Sequence, residues 1–238
     1  MAKLMTLVKS ARGLSAADFA HHWQFRFLPA VLALEAPARS LYKAVHHHVL
    51  PSHIREEEGL PANEWAGVAS YYFANPSDVV STLADPAYSA LLDAQRDVIA
   101  VATHLIVDEL WVYDRDPSHL PVKMFAFFKR LPHLSRADAQ AYYRTTHAAV
   151  GERVNRDRTV RYVQNHVVAG YRNPDAAWDY DAGPEIWFKS MAIALDLFGD
   201  REAMETLGRD EQNFVRRDEL LHFMTDEQLV HERAPPAT

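Results

Sequence analysis

The chain has no cysteine, only 8 glycines among 238 residues and no long apolar run. The absence of cysteine excludes a disulfide scaffold, a thiolate nucleophile and any Cys-ligated zinc or iron–sulfur site. The longest apolar stretch is 98–107, which is interrupted by His104, whereas a membrane span needs about 18 or more apolar residues. The N-terminus shows no signal-peptide core. We therefore expect a soluble, cytoplasmic protein with no membrane partner.

Positive charge is also scarce, because 25 Lys and Arg stand against 32 Asp and Glu, a net charge of −7. Binding to a nucleic-acid backbone needs a basic stripe, so we expect no nucleic-acid partner. The chain has no Gly-rich phosphate loop and no Gly-x-Ser-x-Gly elbow, which disfavours nucleotide-driven and serine-hydrolase chemistry. Its 48% hydrophobic content is typical of a globular protein.

The chain contains one sequence pattern that occurs twice. KLMTLVKSARGLSAADFAHHW, starting at Lys3, aligns with KMFAFFKRLPHLSRADAQAYY, starting at Lys123, at a constant offset of 120 residues. LYKAVHHHVL and TVRYVQNHVV then align at an offset of 118, with His48 matching His166. Matches that follow in order predict an internal repeat. We predict one repeat at residues 1–116 and a second at 121–232.

Each half is predicted to fold as β-α-β-β-α-β. Ser15-x-x-Asp18 and Ser135-x-x-Asp138 are typical of helix N-termini, and short, partly alternating apolar segments predict strands. The strands are predicted at Lys3–Lys9, Leu41–Leu50, Gly67–Phe73, Leu105–Val112, Val122–Lys129, Val160–Val168, Glu185–Leu195 and Gln228–Val230, and second helices start at Pro76–Leu83 and Arg201–Leu207.

A sheet with helices on one face leaves its other face uncovered. We therefore predict an α+β fold in which two ferredoxin-like repeats form an intramolecular pseudo-dimeric α+β barrel around a ring-sized hollow.

The second half resembles the EthD family of the dimeric α+β barrel superfamily. The resemblance rests on KRLPHLSRADAQAYYRTTHAAV, RYVQNHVV, PEIWF and RDEQNF, which occur in this order, and the first half carries a degenerate version. It implies an aromatic or polyketide-like small-molecule ligand and no obligatory cofactor. Known functions in the family diverge, so the resemblance does not fix a reaction.

The resemblance also implies site residues in the second half. The helix histidine of the family falls on His147, and its strand block falls on Tyr162, Asn165 and His166. Its acidic positions fall on Glu185 and Asp210.

The first half departs from this pattern. Phe27 stands where the second half has His147, Ala44 and His47 stand for Tyr162 and Asn165, and His48 is retained. We therefore hypothesise that the second repeat keeps the family-like site.

Residue spacing adds a chemical argument for the second half. Tyr143 and His147 share one helical face, and an inward imidazole can exchange protons near neutral pH. Tyr162, Gln164 and His166 alternate along a strand and therefore share one face of the sheet. The alternatives are a core or surface histidine at 147 and a purely structural polar network in the strand. If buried near His147, Glu185 could orient the imidazole.

The first half offers weaker candidates. His46 and His48 share a strand face, which suits either a ligand cavity or a metal pair supplemented by His53 or Glu56–Glu58. Arg26 could bind a carboxylate or phenolate, or it is simply a solvated helix residue. We expect no metal and no cofactor.

Taken together, these observations predict a cofactor-independent acid–base lyase, of the dehydratase or decarboxylase type, for an aromatic or polyketide-like small molecule. The expected catalytic residues are His147, His166 and Tyr162. The expected substrate-binding residues are Tyr143, Gln164, Asn165, Glu185, Asp210, His22, Arg26, His46 and His48. The alternatives are a cofactor-free or haem-dependent monooxygenase and a non-catalytic small-molecule-binding module. Pairing of two chains as a homodimer is left open.

Overall fold

The computed structural model describes residues 1–50, 64–116, 120 and 122–235. The chain divides into two compact units. The first contains the described residues of 1–49, 64–107 and 227–235, and the second contains Leu50 and those of 108–226. Each unit combines an antiparallel sheet with helices, which confirms the predicted α+β class.

The first unit contains the strands β1 (Ala2–Ser10), β2 (Leu41–His48), β3 (Gly67–Phe73), the first part of β4 (Ile99–Asp114) and β9 (Gln228–Glu232). Their order in the sheet is β4-β1-β3-β2-β9, with antiparallel pairing throughout. The helices of this unit are Ala16–His22, Leu28–Leu32, Glu35–Ser40, Pro76–Ala84 and Pro86–Ala94, with a π-helical segment at Trp23–Phe27.

The second unit contains β5 (Val122–Phe127), β6 (Thr159–Val167), β7 (Ala182–Phe188), β8 (Leu221–Thr225) and the last part of β4. Their order is β8-β5-β7-β6-β4. The α-helices are Arg136–Tyr142, Ala148–Asn155, Met191–Gly199 and Arg201–Glu211, with a π-helical segment at Tyr143–His147 and 3-10 turns at Ala176–Trp178 and Arg217–Glu219.

The repeat is visible in the way the first helix of each unit begins. The Ser15 and Ser135 hydroxyl oxygens each accept a hydrogen bond of 3.1 Å from the backbone N–H of Asp18 and Asp138, respectively. Each hydroxyl in turn donates to the aspartate carboxylate at 2.6 Å. Both helices then widen into a five-residue π-helical segment at equivalent positions. The two ferredoxin-like repeats, which the sequence predicted, therefore share both the serine cap and the π-helical segment of their first helix.

Two predicted strands differ from the structure in more than small shifts of their bounds. The strand predicted at Glu185–Leu195 ends at Phe188, because Ser190 caps a new helix by accepting from the N–H of Ile193 at 3.3 Å. A short apolar run fits a strand and a buried helix equally well, which explains the error.

The strand predicted to close the second repeat, β9, pairs instead with β2 of the first unit. There it covers a sheet edge that would otherwise leave backbone groups unpaired. The second repeat is closed by β8, which pairs with β5.

The second sheet presents different chemistry on its two faces. Period-two alternation turns Met124, Tyr162 and Ile186 toward the helices, where they join an apolar core with Leu197. The neighbouring residues on the opposite face include Lys123 and Glu185. Among the described residues, no helix combines the length and apolarity needed to cross a bilayer.

Candidate active site

A cavity of about 390 Å³ lies between the sheet and the helices of the second unit. Its volume falls in the range of small-molecule sites, roughly 300–1,000 Å³. Most of its wall is apolar, formed by Met124, Ala126, Pro184, Ile186, Leu197, Phe198, Met204, Leu207 and Leu220. The polar residues of the wall are His147, Asn155, Glu211, Arg217 and His222. All of its lining residues belong to the second unit. We expected His147 to face a hollow inside the barrel, but it faces a cavity between one sheet and the helices of the same unit.

His147 is held in this wall by Asp210. The Nδ1 atom lies 2.7 Å from the Asp210 Oδ2, and the two side chains are only 12% and 10% exposed. The Tyr142 hydroxyl donates to the other carboxylate oxygen of Asp210 at 2.8 Å, and Asn213 donates to that hydroxyl at 3.1 Å. A carboxylate only accepts, so Nδ1 carries the proton of the neutral imidazole and the Nε2 lone pair is left to accept another.

The charge state of His147 follows from two opposing effects. Burial lowers its pKa below the usual 6.5, while the hydrogen bond and the charge of Asp210 act in the opposite direction. Burial is the larger effect, so the imidazole is neutral at pH 7. A neutral imidazole with one free lone pair is the form that a general base requires.

The backbone that carries His147 is fixed from the sheet. His147 ends the π-helical segment that starts at Tyr143, and such segments frequently occur at functional sites. Gln164 on β6 donates from its amide to the Tyr143 carbonyl at 2.8 Å and to the Tyr162 hydroxyl at 2.9 Å. Its carbonyl oxygen lies 3.0 Å from Nε2 of His166. Since that oxygen can only accept, the Nε2 of His166 is the donor.

The predicted strand residues therefore form a buried network behind Tyr143 rather than part of the cavity wall. Tyr162, Gln164 and His166 are all at most 3% exposed. Burial lowers the pKa of His166 to about 4, with a smaller contribution from Arg144, and burial also raises the pKa of Tyr162. The network anchors the segment that bears His147, which is a positioning arrangement.

The two imidazoles of the second repeat meet the same aromatic ring. Tyr143 packs in a cluster with Phe128 and Phe214, and its ring centroid lies 5.5 Å from that of His147 and 5.4 Å from that of His166. No hydrogen bond between the two imidazoles occurs in the described part of the chain. Tyr143 is thus a buried spacer between them.

Asn165 and Glu185 belong to the opposite face of the sheet. The carboxylate of Glu185 receives a hydrogen bond of 2.6 Å from the Lys123 ammonium and one of 3.0 Å from the Asn165 amide. The Lys123 ammonium also lies 4.0 Å from the centre of the Trp187 ring. The carboxylate that orients His147 is therefore Asp210, and Glu185 forms a buried ion pair elsewhere.

The candidates of the first unit are arranged differently. His46 is fully buried and stacks on Trp23 with 3.9 Å between ring centroids, and burial lowers its pKa to about 3. His48 meets the same indole edge-on at 5.8 Å. His22 contacts the Gln95 amide oxygen, and Arg26 is exposed, as expected of a solvated helix residue.

Phe27, in the place of His147, is buried in the first core, so the first repeat has no imidazole at the position equivalent to His147. No group of three or more His, Asp or Glu that could hold a metal occurs among the described residues. The supplementary ligands considered above, His53 and Glu56–Glu58, lie outside those residues.

Four polar residues of the cavity wall were not predicted from the sequence: Asn155, Glu211, Arg217 and His222. Arg217 belongs to the charge run at 216–219, which is typical of a solvated surface, and its proximity to the cavity depends on the 3-10 turn. Glu211 follows directly after Asp210 and carried no signal of its own. His222 did carry a signal, because it matches His104 at the same offset of 118 residues that aligns His48 with His166.

Comparison with known proteins agrees with this architecture. The EthD domain matches residues 11–101 and 131–218. None of the curated proteins matches the chain. Several solved structures share the fold over nearly the whole chain at very low sequence identity.

An anthrone oxidase-like protein has a TM-score of 0.68 at 9% identity, covering 100% of this chain and 96% of its own. A provisionally named monooxygenase from Fusobacterium nucleatum has a TM-score of 0.53 at 5% identity, covering 98% and 94%. A variant of chlorite dismutase from Candidatus Nitrospira defluvii has a TM-score of 0.51 at 11% identity, covering 94% and 91%. At these identities the likeness shows the fold alone. The EthD match, by contrast, covers well over half of the chain in two segments, and the protein is therefore a tandem member of the EthD family.

Proposed function

We propose that the second repeat is an active site in which His147 removes a proton from a flat, largely apolar carbonyl or phenolic compound. One observation carries the proposal: an imidazole with Nδ1 bound to a buried carboxylate stands in the wall of an apolar cavity. The carboxylate stabilises the imidazolium that forms when Nε2 takes the proton. The apolar wall suits an aromatic ring system.

The surrounding residues support a division of labour. Asp210 and Tyr142 orient the imidazole, while Gln164, Tyr162 and His166 hold the segment that bears it. His222 and Glu211 lie in the cavity wall and can exchange a second proton with the bound compound. The first repeat, with Phe27 in place of the histidine, acts as a structural partner.

Removal of a proton that a carbonyl acidifies, either directly or through a conjugated aromatic ring, gives an enolate with two fates. In a dehydratase, the enolate expels a neighbouring hydroxyl, which takes the proton from His147 and leaves as water. In a cofactor-free oxygenation of a methylene, dioxygen accepts the electrons, one oxygen atom becomes the new carbonyl and the other leaves as water. We favour the lyase. The oxygenase gains support from the anthrone oxidase-like fold neighbour, although that likeness concerns the fold alone.

Deuterium exchange tests the shared first step. Anthrone, a three-ring ketone with an acidic methylene, is incubated with the protein in D₂O under argon, and loss of the methylene proton signal is followed by NMR. We expect exchange well above the solvent background with the wild-type protein and background exchange with His147→Gln. The matched control is His133→Gln, which replaces an exposed histidine on the same repeat. Equal exchange by wild type and His147→Gln would refute the proposal.

Admitting oxygen then separates the two fates. Oxygen consumption with formation of anthraquinone and one water per dioxygen favours the oxygenase, whereas proton exchange at an unchanged oxygen level counts against it. Binding of anthrone without any exchange indicates a non-catalytic binding module.

The haem-dependent alternative has its own readout. An imidazole whose second ring nitrogen is held by a carboxylate is also the usual form of a metal-ligating histidine, so His147 is the residue that would hold the iron. Added haem that binds there gives a visible absorption band that shifts in His147→Gln.

A further inference from the structure

A second concavity adjoins the His147 cavity. It is an open groove of about 540 Å³ on the helix Arg201–Glu211, and it shares Met204 and Arg217 with the cavity. Arg217 and Met204 therefore lie where the apolar cavity and the surface groove adjoin.

The groove carries positive charge although the chain as a whole is acidic. Its lining includes three arginines, Arg201, Arg209 and Arg217, and one carboxylate, Glu205. These four side chains give the lining a formal charge of +2, in a chain of net charge −7. Such a local reversal of sign favours an anionic ligand over a neutral one.

Arg217 stands at the junction and is held in a defined pose. Its Nε lies 3.1 Å from a carboxylate oxygen of Glu211, with which it forms an ion pair. The guanidinium lies flat against Gly208, where a Cβ atom would come within 2.9 Å of one terminal nitrogen and 3.2 Å of the central carbon. This is the only ion pair that Arg217 makes within the described ranges, and a planar guanidinium can bind both oxygens of a carboxylate.

We propose that the substrate carries a carboxylate, which binds Arg217 in the groove while its apolar rings occupy the cavity beside His147. This inference rests on the proposed function and names its substrate class. It makes Arg217 a specificity-determining residue: the arginine selects anionic compounds and orients their rings toward the imidazole. Gly208 is the positioning residue that lets the guanidinium lie close to the helix.

Two probes of nearly equal shape test the proposal, 2-naphthoate and 2-naphthamide, which differ in charge. Dissociation constants are measured by calorimetry at low and high salt, and the NMR signals of His147 report whether each probe enters the cavity. For the wild-type protein we expect naphthoate to bind about tenfold more tightly at low salt. Added salt should reduce that preference, because it screens charges near the surface.

Variants then assign the preference to one side chain. Arg217→Gln should weaken binding of naphthoate more than binding of naphthamide and so remove the preference, and Gly208→Ala should reduce the preference by displacing the guanidinium. The control is Arg216→Gln, which removes the same charge from the neighbouring residue. Arg216 pairs with Glu219 and lines neither concavity. Melting temperatures show that each variant is folded, and the salt series on the wild type needs no variant.

The outcomes separate the two claims. Equal affinities for both probes, or a preference that persists in Arg217→Gln, overturn the inference while leaving His147 in a working cavity. If neither probe perturbs His147, both the inference and the proposed function are wrong.

Discussion

His147 and His166 pack against the same Tyr143 ring but engage opposite ring nitrogens. His147 holds Asp210 through Nδ1, and His166 holds Gln164 through Nε2. Both partners present an oxygen, so the two neutral imidazoles must carry their protons on different atoms. The two histidines therefore differ in tautomer as they differ in role, since His147 lines the cavity and His166 belongs to the buried network.

The first prediction is therefore spectroscopic. In protein with ¹⁵N-labelled histidine at pH 7, His147 should be the Nδ1–H tautomer and His166 the Nε2–H tautomer, as read from two-bond nitrogen–proton correlations. His147→Gln and His166→Gln each remove one set of signals and so provide the assignment. An Nε2–H tautomer at His147 would contradict its assignment as a base that faces the cavity through Nε2.

The second prediction concerns Asp210. Asp210→Asn removes the charge that raises the pKa of His147, so this pKa should fall further below 6.5. The variant also loses the carboxylate that stabilises the imidazolium, and the rate of proton exchange should fall about 10- to 100-fold. Tyr142→Phe should lose less, because the carboxylate remains.

The comparison needs a carboxylate of the same repeat that is unconnected with His147. Asp196→Asn provides it, since Asp196 pairs with Arg158 and is largely exposed. A pKa of His147 that is the same in Asp210→Asn as in the wild type would show that the pair contributes nothing to the charge state.

The third prediction concerns the buried pair of Lys123 and Glu185, whose side chains are both 2% exposed. Lys123→Met leaves a carboxylate buried without its counter-ion, which should cost roughly 3–5 kcal/mol of the free energy of unfolding. The double variant Lys123→Met with Glu185→Gln should recover much of this loss, because no charge then remains buried. Urea unfolding of the single and double variants measures the coupling.

Arg96→Met is the exposed counterpart, because the pair of Arg96 and Asp93 is mostly in solvent and should contribute little. If Lys123→Met is as harmless as Arg96→Met, the pair is not a structural element of the sheet.

The sequence predicted the repeat through the alignment of its two halves, and helical spacing predicted that His147 faces inward, where the structure places it. It could not assign the partner of His147, since Asp210 lies 63 residues further along the chain and only tertiary packing brings the two together. Glu185 looked equally suitable in the sequence. Strand alternation places Glu185 on the other face of the sheet, where it forms an ion pair with Lys123. The sequence did not predict this pair.

The fourth prediction is a loss of stability in mild acid. Burial lowers the pKa of His46 to about 3 and those of His104 and His166 to about 4. Each takes up a proton near its ordinary pKa of 6.5 in the unfolded chain but only at much lower pH in the folded one. The unfolded state therefore binds more protons between about pH 6.5 and pH 4, and stability falls with falling pH across that window.

Each of these histidines changes the free energy of unfolding by at most about 1.4 kcal/mol per pH unit. His46→Phe should remove one such contribution, whereas His21→Phe, at an exposed position, should leave the slope unchanged. Urea unfolding at several pH values from 7 to 5 gives both slopes. Equal slopes in His46→Phe and the wild type would show that His46 is not buried as a neutral group.

The central claim is that His147 is the proton acceptor of the cavity, and the pH dependence of anthrone deuterium exchange tests it most directly. The exchange rate above background should rise with pH through an inflection at the pKa of His147 measured independently by NMR in the same protein. Asp210→Asn should move both values together to lower pH. An inflection that does not follow the pKa of His147, or one that survives in His147→Gln, would contradict the account.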